Sequence, residues 1–551
     1  MDRLSCVGSV PPDVEARPGS GSLSVTRAKY LLAILLFVGL AIFGARYHWV
    51  EGANTAERDA FVDKAELVLS GQFPRDLFRP PLYVLLMAGL APLFGSAFVA
   101  GRVISNLAAC GLALAAFGFG ARLRNRQVGL WSMGLVLVNP NVWIFGEQAA
   151  TNMLFACFAA SALLAGLAYL GRPSARAALA AAVACALADW VRGNATTLVP
   201  ALCLAYLLAP RRSVAAAGPA SGRSPAHLGL AFGGAVVVLA PLWWLRWRDF
   251  GSPFHDENWR NLWWKLHAHS DWSLLESGGP RSSFGRLILG EPVAVATAAL
   301  RELVSFFAST LPALVGGWWC VPPLVVAAVT AIRRRSPDAL YLLFALGTFT
   351  LGVATVFFTW DRFMLLWIPV AAALSVAECH RAGEELRARG GALSALPLGG
   401  IVSAALVILT FVSTVVWKLP SFVRQHPYAE VVALTPLDRE IGADEALAGT
   451  APFLQRYFRH RYVHLPDDTG LHGVDDYHDW CALERLLGSA RVRYVVVSDV
   501  ELRQRPPSLL GRGDGPPVPA WLELVRRDAH TALWRVRATA VSASNPALPC
   551  R

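Results

Sequence analysis

The run PLGGIVSAALVILTFVSTVVW, Pro397 to Trp417, decides the fold class: it holds 21 residues and no charge. As a helix it is roughly 31 Å long, the thickness of a hydrocarbon core. Lipid offers the backbone no hydrogen bonds, so such a run must pair its own N–H and C=O groups as a helix. Comparable runs lie upstream near 30–46, 98–121, 128–145, 150–170, 176–191, 194–209, 227–246, 310–332, 339–359 and 363–379, which makes eleven expected spans with 397–417. Charged residues are 16% of the chain, against roughly 25% in soluble domains. An ordinary soluble globule is excluded. The expected fold class is mainly α, a polytopic helical membrane protein.

Downstream of Lys418 the composition changes. Charges become frequent, and short β-rich runs appear at Tyr494–Val497 and Leu533–Val536. A small α/β domain is expected over 418–551. Upstream, 1–29 is polar and ends in Arg27 and Lys29, which reads as a tail before a membrane anchor.

The net charge is +11, and its distribution explains it. Arg122, Arg124 and Arg126, then Arg172 and Arg176, then Arg211, Arg212 and Arg223, then Arg333–Arg335, then Arg381, Arg387 and Arg389 follow alternate spans. That is the bias of cytoplasmic loops. It places the tail inside and the 418–551 domain outside, and it implies no nucleic-acid partner. Five of the nine cysteines, Cys110, Cys157, Cys185, Cys203 and Cys320, lie in spans and read as packing residues. Cys481 and Cys550 lie in the C-terminal domain, where a disulfide is an open option.

Two outer loops are long, about 47–97 and about 247–309. The first carries ERDAFVDKAELVLSGQFPRDLFRPPLY, Glu57 to Tyr83, with acids ahead of an Arg-Pro-Pro corner; Leu82 to Phe94 is expected as an interfacial helix. The second carries Trp259, Arg260, Trp263, Trp264, Lys265 and Trp272, a composition suited to the headgroup level.

Four segments in order resemble the GT-C class of membrane glycosyltransferases, which includes protein O-mannosyltransferases and lipid A aminoarabinose transferases. The first is Glu57, Phe61, Ala65 and Gly71; the second is Phe78-Arg79-Pro80-Pro81-Leu82-Tyr83 with Phe94-Gly95 and Arg102. The third is Arg192-Gly193-Asn194 with Pro200; the fourth is Pro241 to Arg246 with Phe250-Gly251-Ser252-Pro253. Arg362-Phe363 is a fifth, shorter match. The resemblance implies the GT-C fold, a polyprenyl-phosphate sugar donor, an extracytoplasmic acceptor and a bacterial inner-membrane location. Two positions depart from the pattern. The leading acid is Glu57 where the family has Asp, with Asp59 as rival. Thr151-Asn152 stands where the family often has Thr-Glu, and the nearest carboxylate, Glu147, is about one and a half turns away on a continuous helix.

Glycosyl transfer to a hydroxyl needs a base, cations for the departing phosphate and a hold on the lipid tail. Glu57 or Asp59 is the expected base. Arg79, Arg192, Arg246 and Arg362 suit the phosphate, because guanidinium stays charged and offers paired donors. Lys265 is a further cation. Tyr83, Asn194, Glu147 and Asn152 complete the expected donor or substrate contacts. His267 and His269 cannot face one way on a helix, so no metal site is expected, and no cofactor. Two other readings stay open: a lipid-linked sugar transporter or flippase, and a GT-C scaffold without catalysis. The first needs charged groups along a path through the bilayer, and such groups are few.

Overall fold

The computed structural model describes residues 21–47, 61–73, 80–210, 222–255, 258–267, 283–390, 395–421, 435–449, 461–464, 484, 487–488, 491–498, 520–527 and 531–537. The membrane domain begins with α1 (Gly21–Tyr47), α2 (Phe61–Leu69), α3 (Leu82–Phe94), α4 (Ala97–Leu123), α5 (Arg126–Leu137) and α6 (Pro140–Gly146). It continues through α7 (Thr151–Gly171), α8 (Ala175–Val191), α9 (Val199–Leu208), α10 (Pro225–Phe250) and α11 (Trp259–His267). Then come α12 (Phe284–Gly290), α13 (Pro292–Ser305), α14 (Leu311–Leu314), α15 (Val321–Arg334), α16 (Pro337–Val356), α17 (Trp367–Ala388) and α18 (Leu398–Ser413).

Seven helices among the described residues are long and apolar enough to cross a membrane, and α5 with α6 makes an eighth, bent by 61°. The other expected spans are helices too. Helices α8 and α9 are shorter, and α17 carries Glu378, Arg381, Glu384 and Glu385 in its last turns. The core runs through the bundle from Leu36 on α1 to Leu406 on α18. The ends are capped by local chemistry: Ser96, Asn125 and Ser174 accept from the N–H groups of Val99, Val128 and Ala177.

Besides the bent span over 128–145, the expected span at 310–332 departs from a simple helix. Positions 310–332 form not one rod but two segments. Apolar helix runs from Pro292 to Leu314 through a π-helical turn at Phe306–Thr310, then breaks at Gly316 (φ +101°) and Gly317 (φ +148°) before α15. Only glycine tolerates those torsions without strain. The segment read as loop up to 309 is therefore helical from Phe284, and Trp259–His267 is helical as well.

The break meets the bend between α5 and α6. Asn139 Nδ2 donates to the Leu314 carbonyl at 2.8 Å, and Asn141 Nδ2 to that of Ala313 at 3.1 Å. Carbonyls freed at the bend are taken in turn: Trp143 Nε1 donates to Leu137 O at 2.8 Å, and Thr414 Oγ1 to Val138 O at 2.7 Å. Asn139 Oδ1 also accepts from Asn141 N–H at 2.9 Å.

The C-terminal part holds a five-stranded sheet in the order β2-β1-β3-β5-β4, with β1 (Ala446–Gly449), β2 (Arg461–His464), β3 (Val492–Ser498), β4 (Leu522–Arg527) and β5 (Thr531–Val536). Strand β1 runs parallel to β2 and β3, while β5 is antiparallel to β3 and β4. The two β-rich runs read from sequence are β3 and β5. Ala446, Ala448, Val492, Val495 and Trp534 form a separate small core. Cys481 and Cys550 lie outside the described residues.

Asn139→Leu keeps the branched shape and removes both hydrogen bonds. Thermal unfolding in detergent is expected to show a loss of about 1–2 kcal/mol, with no comparable loss for Ser309→Ala, whose exposed hydroxyl bonds only its own helix. An unchanged midpoint for Asn139→Leu would refute the stitching role.

Candidate active site

The arginine-rich turns gather at one end of the bundle. There Arg122 pairs with Asp338, Arg124 with Glu384, Arg334 with Glu385, and Arg381 with Glu378 and Glu385. Lys29 of α1 lies 5.0 Å over the Phe117 ring, which sets α1 antiparallel to α4. The opposite end holds the start of α4 and α7 and the close of α1, α8 and α16.

At that opposite end Arg102 of α4 binds Glu147. Arg102 Nε donates to Glu147 Oε2 at 3.0 Å, and a second guanidinium nitrogen also donates to that oxygen. The Glu147 side chain is fully buried. Burial pushes its carboxyl up from the ordinary range, and Arg102 and Asn106 draw it back. Gly44 makes the approach of α1 possible: a Cβ there would collide with both charged groups. Helices α6 and α7 are not one continuous rod. The chain leaves α6 at Glu147 and re-enters helix at Thr151, so Glu147 faces Arg102 while Asn152 is buried at the start of α7.

The described parts of the first long loop pack at the same end. Glu57, Asp59 and Arg79 lie outside the described residues, but their flanks are described. Phe61 packs edge-on against Tyr83 with centroids 5.5 Å apart, and Ala65 is fully buried one turn later. Helix α2 stops where Gln72 N–H bonds Leu67 O at 2.8 Å and Gly71 N–H bonds Val68 O at 3.0 Å, with Gly71 left-handed at φ +82°. The Phe61, Ala65 and Gly71 spacing is thus a helix that packs on α3 and then ends. The Tyr83 hydroxyl bonds the Gly101 carbonyl (2.9 Å) and Ser105 Oγ (3.0 Å), and the side chain is fully buried. The structure gives Tyr83 the task of locking α3 to α4 beside Arg102. Four residues of chain, at most about 14 Å, separate Glu57 from Phe61.

Arg192 and Arg362, read from separate motifs, stand together. The Arg192 guanidinium lies 4.5 Å over Phe363 and its Nη1 donates to the Arg362 carbonyl at 3.4 Å. The Arg362 guanidinium lies over both Phe363 (4.8 Å) and Trp360 (5.2 Å). The turn Asp361–Phe363 touches α6, which links this pair to the Arg102–Glu147 end. Burial pushes the Asp361 carboxyl up, against the pull of Lys418. Asn194 gives its backbone carbonyl to Thr197 Oγ1 at 2.7 Å in the turn after Arg192.

Arg246 is half-buried on α10, and among the described residues it makes no hydrogen bond or ion pair. Two residues on, Arg248 pairs with Asp249 (2.7 Å) and lies 5.7 Å over Phe73, so α10 reaches the first loop. Lys265 is 5% exposed. Its ammonium donates to the carbonyls of Ala354 and Phe357, the latter at 2.8 Å, and so caps the end of α16. The substrate contact expected from sequence is replaced by that cap. Burial lowers Lys265 to about 8.

Asn106, Gly44 and Glu302 were not in the expected set, and Arg102 stood there only as a motif residue without a role. Arg102 carried a signal, since it is a charge inside an otherwise apolar run. The others are legible only once distant helices meet. Among the described residues no three His, Cys, Asp or Glu side chains converge.

Residues 78–244 match the family model described as dolichyl-phosphate-mannose-protein mannosyltransferase. A comparison with curated proteins by sequence gives no match. Among solved structures, apo ArnT from Cupriavidus metallidurans is similar, with TM-score 0.54 and 13% identity over 95% of this chain and 99% of that one. The same protein bound to undecaprenyl phosphate gives 0.50 and 13% over 97% and 100%. The apo oligosaccharyltransferase of Archaeoglobus fulgidus gives 0.50 and 13% over 88% and 70%. The chain has the GT-C fold that its motifs implied.

Two outcomes follow from this geometry. Arg102→Met leaves a buried carboxylate unmatched and is expected to cost about 3–5 kcal/mol, most of it recovered in Arg102→Met/Glu147→Leu; thermal melts of the purified variants read both. For Lys265 the folded state releases its proton near pH 8, whereas an unfolded lysine holds it to about 10.4. The unfolded chain then binds more protons in between, so this residue adds stability as pH rises through that window. The stability gap between wild type and Lys265→Met is expected to shift in favour of wild type from pH 7.5 to 9.5. A gap constant with pH would contradict the burial of the charge.

Proposed function

We propose that this GT-C protein is a membrane glycosyltransferase that moves a sugar from a polyprenyl-phosphate carrier to an acceptor outside the cytoplasm. The observation that carries the reading is the gathering of Arg102, Arg192, Arg246 and Arg362 at the bundle end opposite the arginine-rich turns. Topology gives no reason for cations there, and an anionic donor headgroup does. The family match over 78–244 and the fold shared with ArnT, solved with undecaprenyl phosphate, point to the same donor class.

In this reading Glu57 or Asp59 takes the proton from the acceptor hydroxyl as its oxygen attacks the anomeric carbon. The bond from that carbon to the phosphate oxygen breaks, and its electron pair leaves on the phosphate. A single displacement inverts the anomeric centre. Arg246 and Arg79 meet the leaving phosphate directly, with Arg192 and Arg362 beside them; Asn194 and Asn152 line the approach. The Arg102–Glu147 pair stiffens the floor under the first loop. The membrane is the bacterial inner membrane, with the site and the C-terminal domain on its outer side. The acceptor is a glycolipid, a surface polysaccharide or a protein.

A flippase reading fares less well. Asn139, Asn141 and Thr414, set within the bundle, are committed to backbone carbonyls rather than to a charged path.

Glu57→Gln and Asp59→Asn, assayed for transfer from a polyprenyl-phosphate sugar in proteoliposomes, separate the two bases. The true base is expected to lose about 10²–10⁴-fold in turnover with carrier binding retained. Full turnover in both variants would remove the base assignment, and carrier movement without a new glycosidic bond would favour transport.

A further inference from the structure

Helices α11, α12 and α13 make a small unit with its own apolar centre of Trp259, Leu262, Leu287 and Val295. Helix α13 packs along α16, and two polar contacts fix the unit to the end of that helix. Lys265 of α11 donates to the Ala354 and Phe357 carbonyls, which a helix leaves unsatisfied at its C-terminus. A cation there also opposes the negative end of the helix dipole. Glu302 of α13 accepts from Thr359 N–H at 3.0 Å, and Thr359 Oγ1 donates back to the Glu302 carbonyl at 3.2 Å. Thr359 is 2% exposed, so these bonds work away from water.

Between and beyond those contacts the chain is held by rings. Trp264 packs edge-on against Phe358 at 5.3 Å, Phe357 meets Phe363 at 5.0 Å, and Phe358 stacks on Trp360 at 5.1 Å. The same Trp360 and Phe363 are the faces over which Arg192 and Arg362 lie. Two neighbouring guanidiniums repel each other, and their spacing depends on the rings beneath them. The rings depend on where residues 357–359 are fixed.

We propose that Lys265 and Glu302 are positioning residues: from the α11–α13 unit they set the Phe357–Phe363 segment, and through it the spacing of Arg192 and Arg362 for the carrier phosphate. This rests on the glycosyltransferase reading. Neither residue touches the ligand. The Lys265 ammonium is buried on two carbonyls, and the Glu302 carboxylate carries the wrong sign for phosphate.

The test uses full-length protein in nanodiscs with undecaprenyl phosphate as the binding probe and transfer kinetics as the second readout. Lys265→Met and Glu302→Ala are expected to weaken binding about tenfold or more and to raise KM for the donor, with kcat within about threefold. Glu302→Gln keeps an acceptor oxygen for Thr359 N–H and is expected to stay near wild type. Thr359→Val, which retains the N–H, serves where Lys265→Met fails to fold, and is expected to weaken binding by a smaller factor in the same direction. Wild-type affinity in both Glu302→Ala and Thr359→Val overturns the proposal. So does a loss confined to Lys265→Met, which would mean that the lysine meets the phosphate itself. A wild-type protein that binds no polyprenyl phosphate overturns instead the functional reading on which this stands.

Discussion

Backbone carbonyls released inside an apolar bundle must find donors, and this structure is arranged around that requirement. Pro140 forces α5 to end, and Gly316-Gly317 forces the later helix to end. Each break strands acceptors where water does not reach. The two breaks lie against each other, and Asn139 and Asn141 on one serve Ala313 and Leu314 on the other. Thr414, in the π-helical turn that closes α18, serves the first break in return. Three parts of the chain far apart in sequence are thereby fixed at one depth. The helix halves that carry Arg102, Arg192 and Arg362 stand on that junction.

The charge pattern reads as two solutions to one problem. At the arginine-rich end Arg122, Arg124 and Arg334 meet carboxylates of other helices, and Arg381 bridges Glu378 and Glu385 on its own helix. At the other end cations are held by different means. Arg102 has a buried carboxylate, Arg192 and Arg362 have ring faces, and Arg246 makes no hydrogen bond or ion pair among the described residues. A ring face holds a guanidinium in place through cation–π attraction.

Much of the frame was legible in the sequence. Uncharged runs the length of a bilayer mark helices with little ambiguity, and the arginine pattern orders their ends. Strands β3 and β5 show as β-branched runs, while β1, an Ala-Leu-Ala-Gly segment, has no such composition and forms because neighbours pair with it. The broken span over 310–332 was not legible, because average hydropathy ignores two consecutive glycines. Site residues divide the same way. Arg192 and Arg362 stood out singly, but their adjacency, across 170 positions, comes from packing. Lys265 stood out as a cation in a tryptophan-rich loop. Only the fold reveals that two carbonyls at the end of another helix claim it.

Gly44 carries a consequence for how the molecule is put together. Its bare backbone lies against Arg102 and Glu147, so α1 is the lid that screens this charge pair from hydrocarbon. Helix α1 is made before residue 147, so the surface it covers does not exist when it emerges. It must therefore wait, loosely associated, until α4 and Glu147 arrive to meet its glycine face.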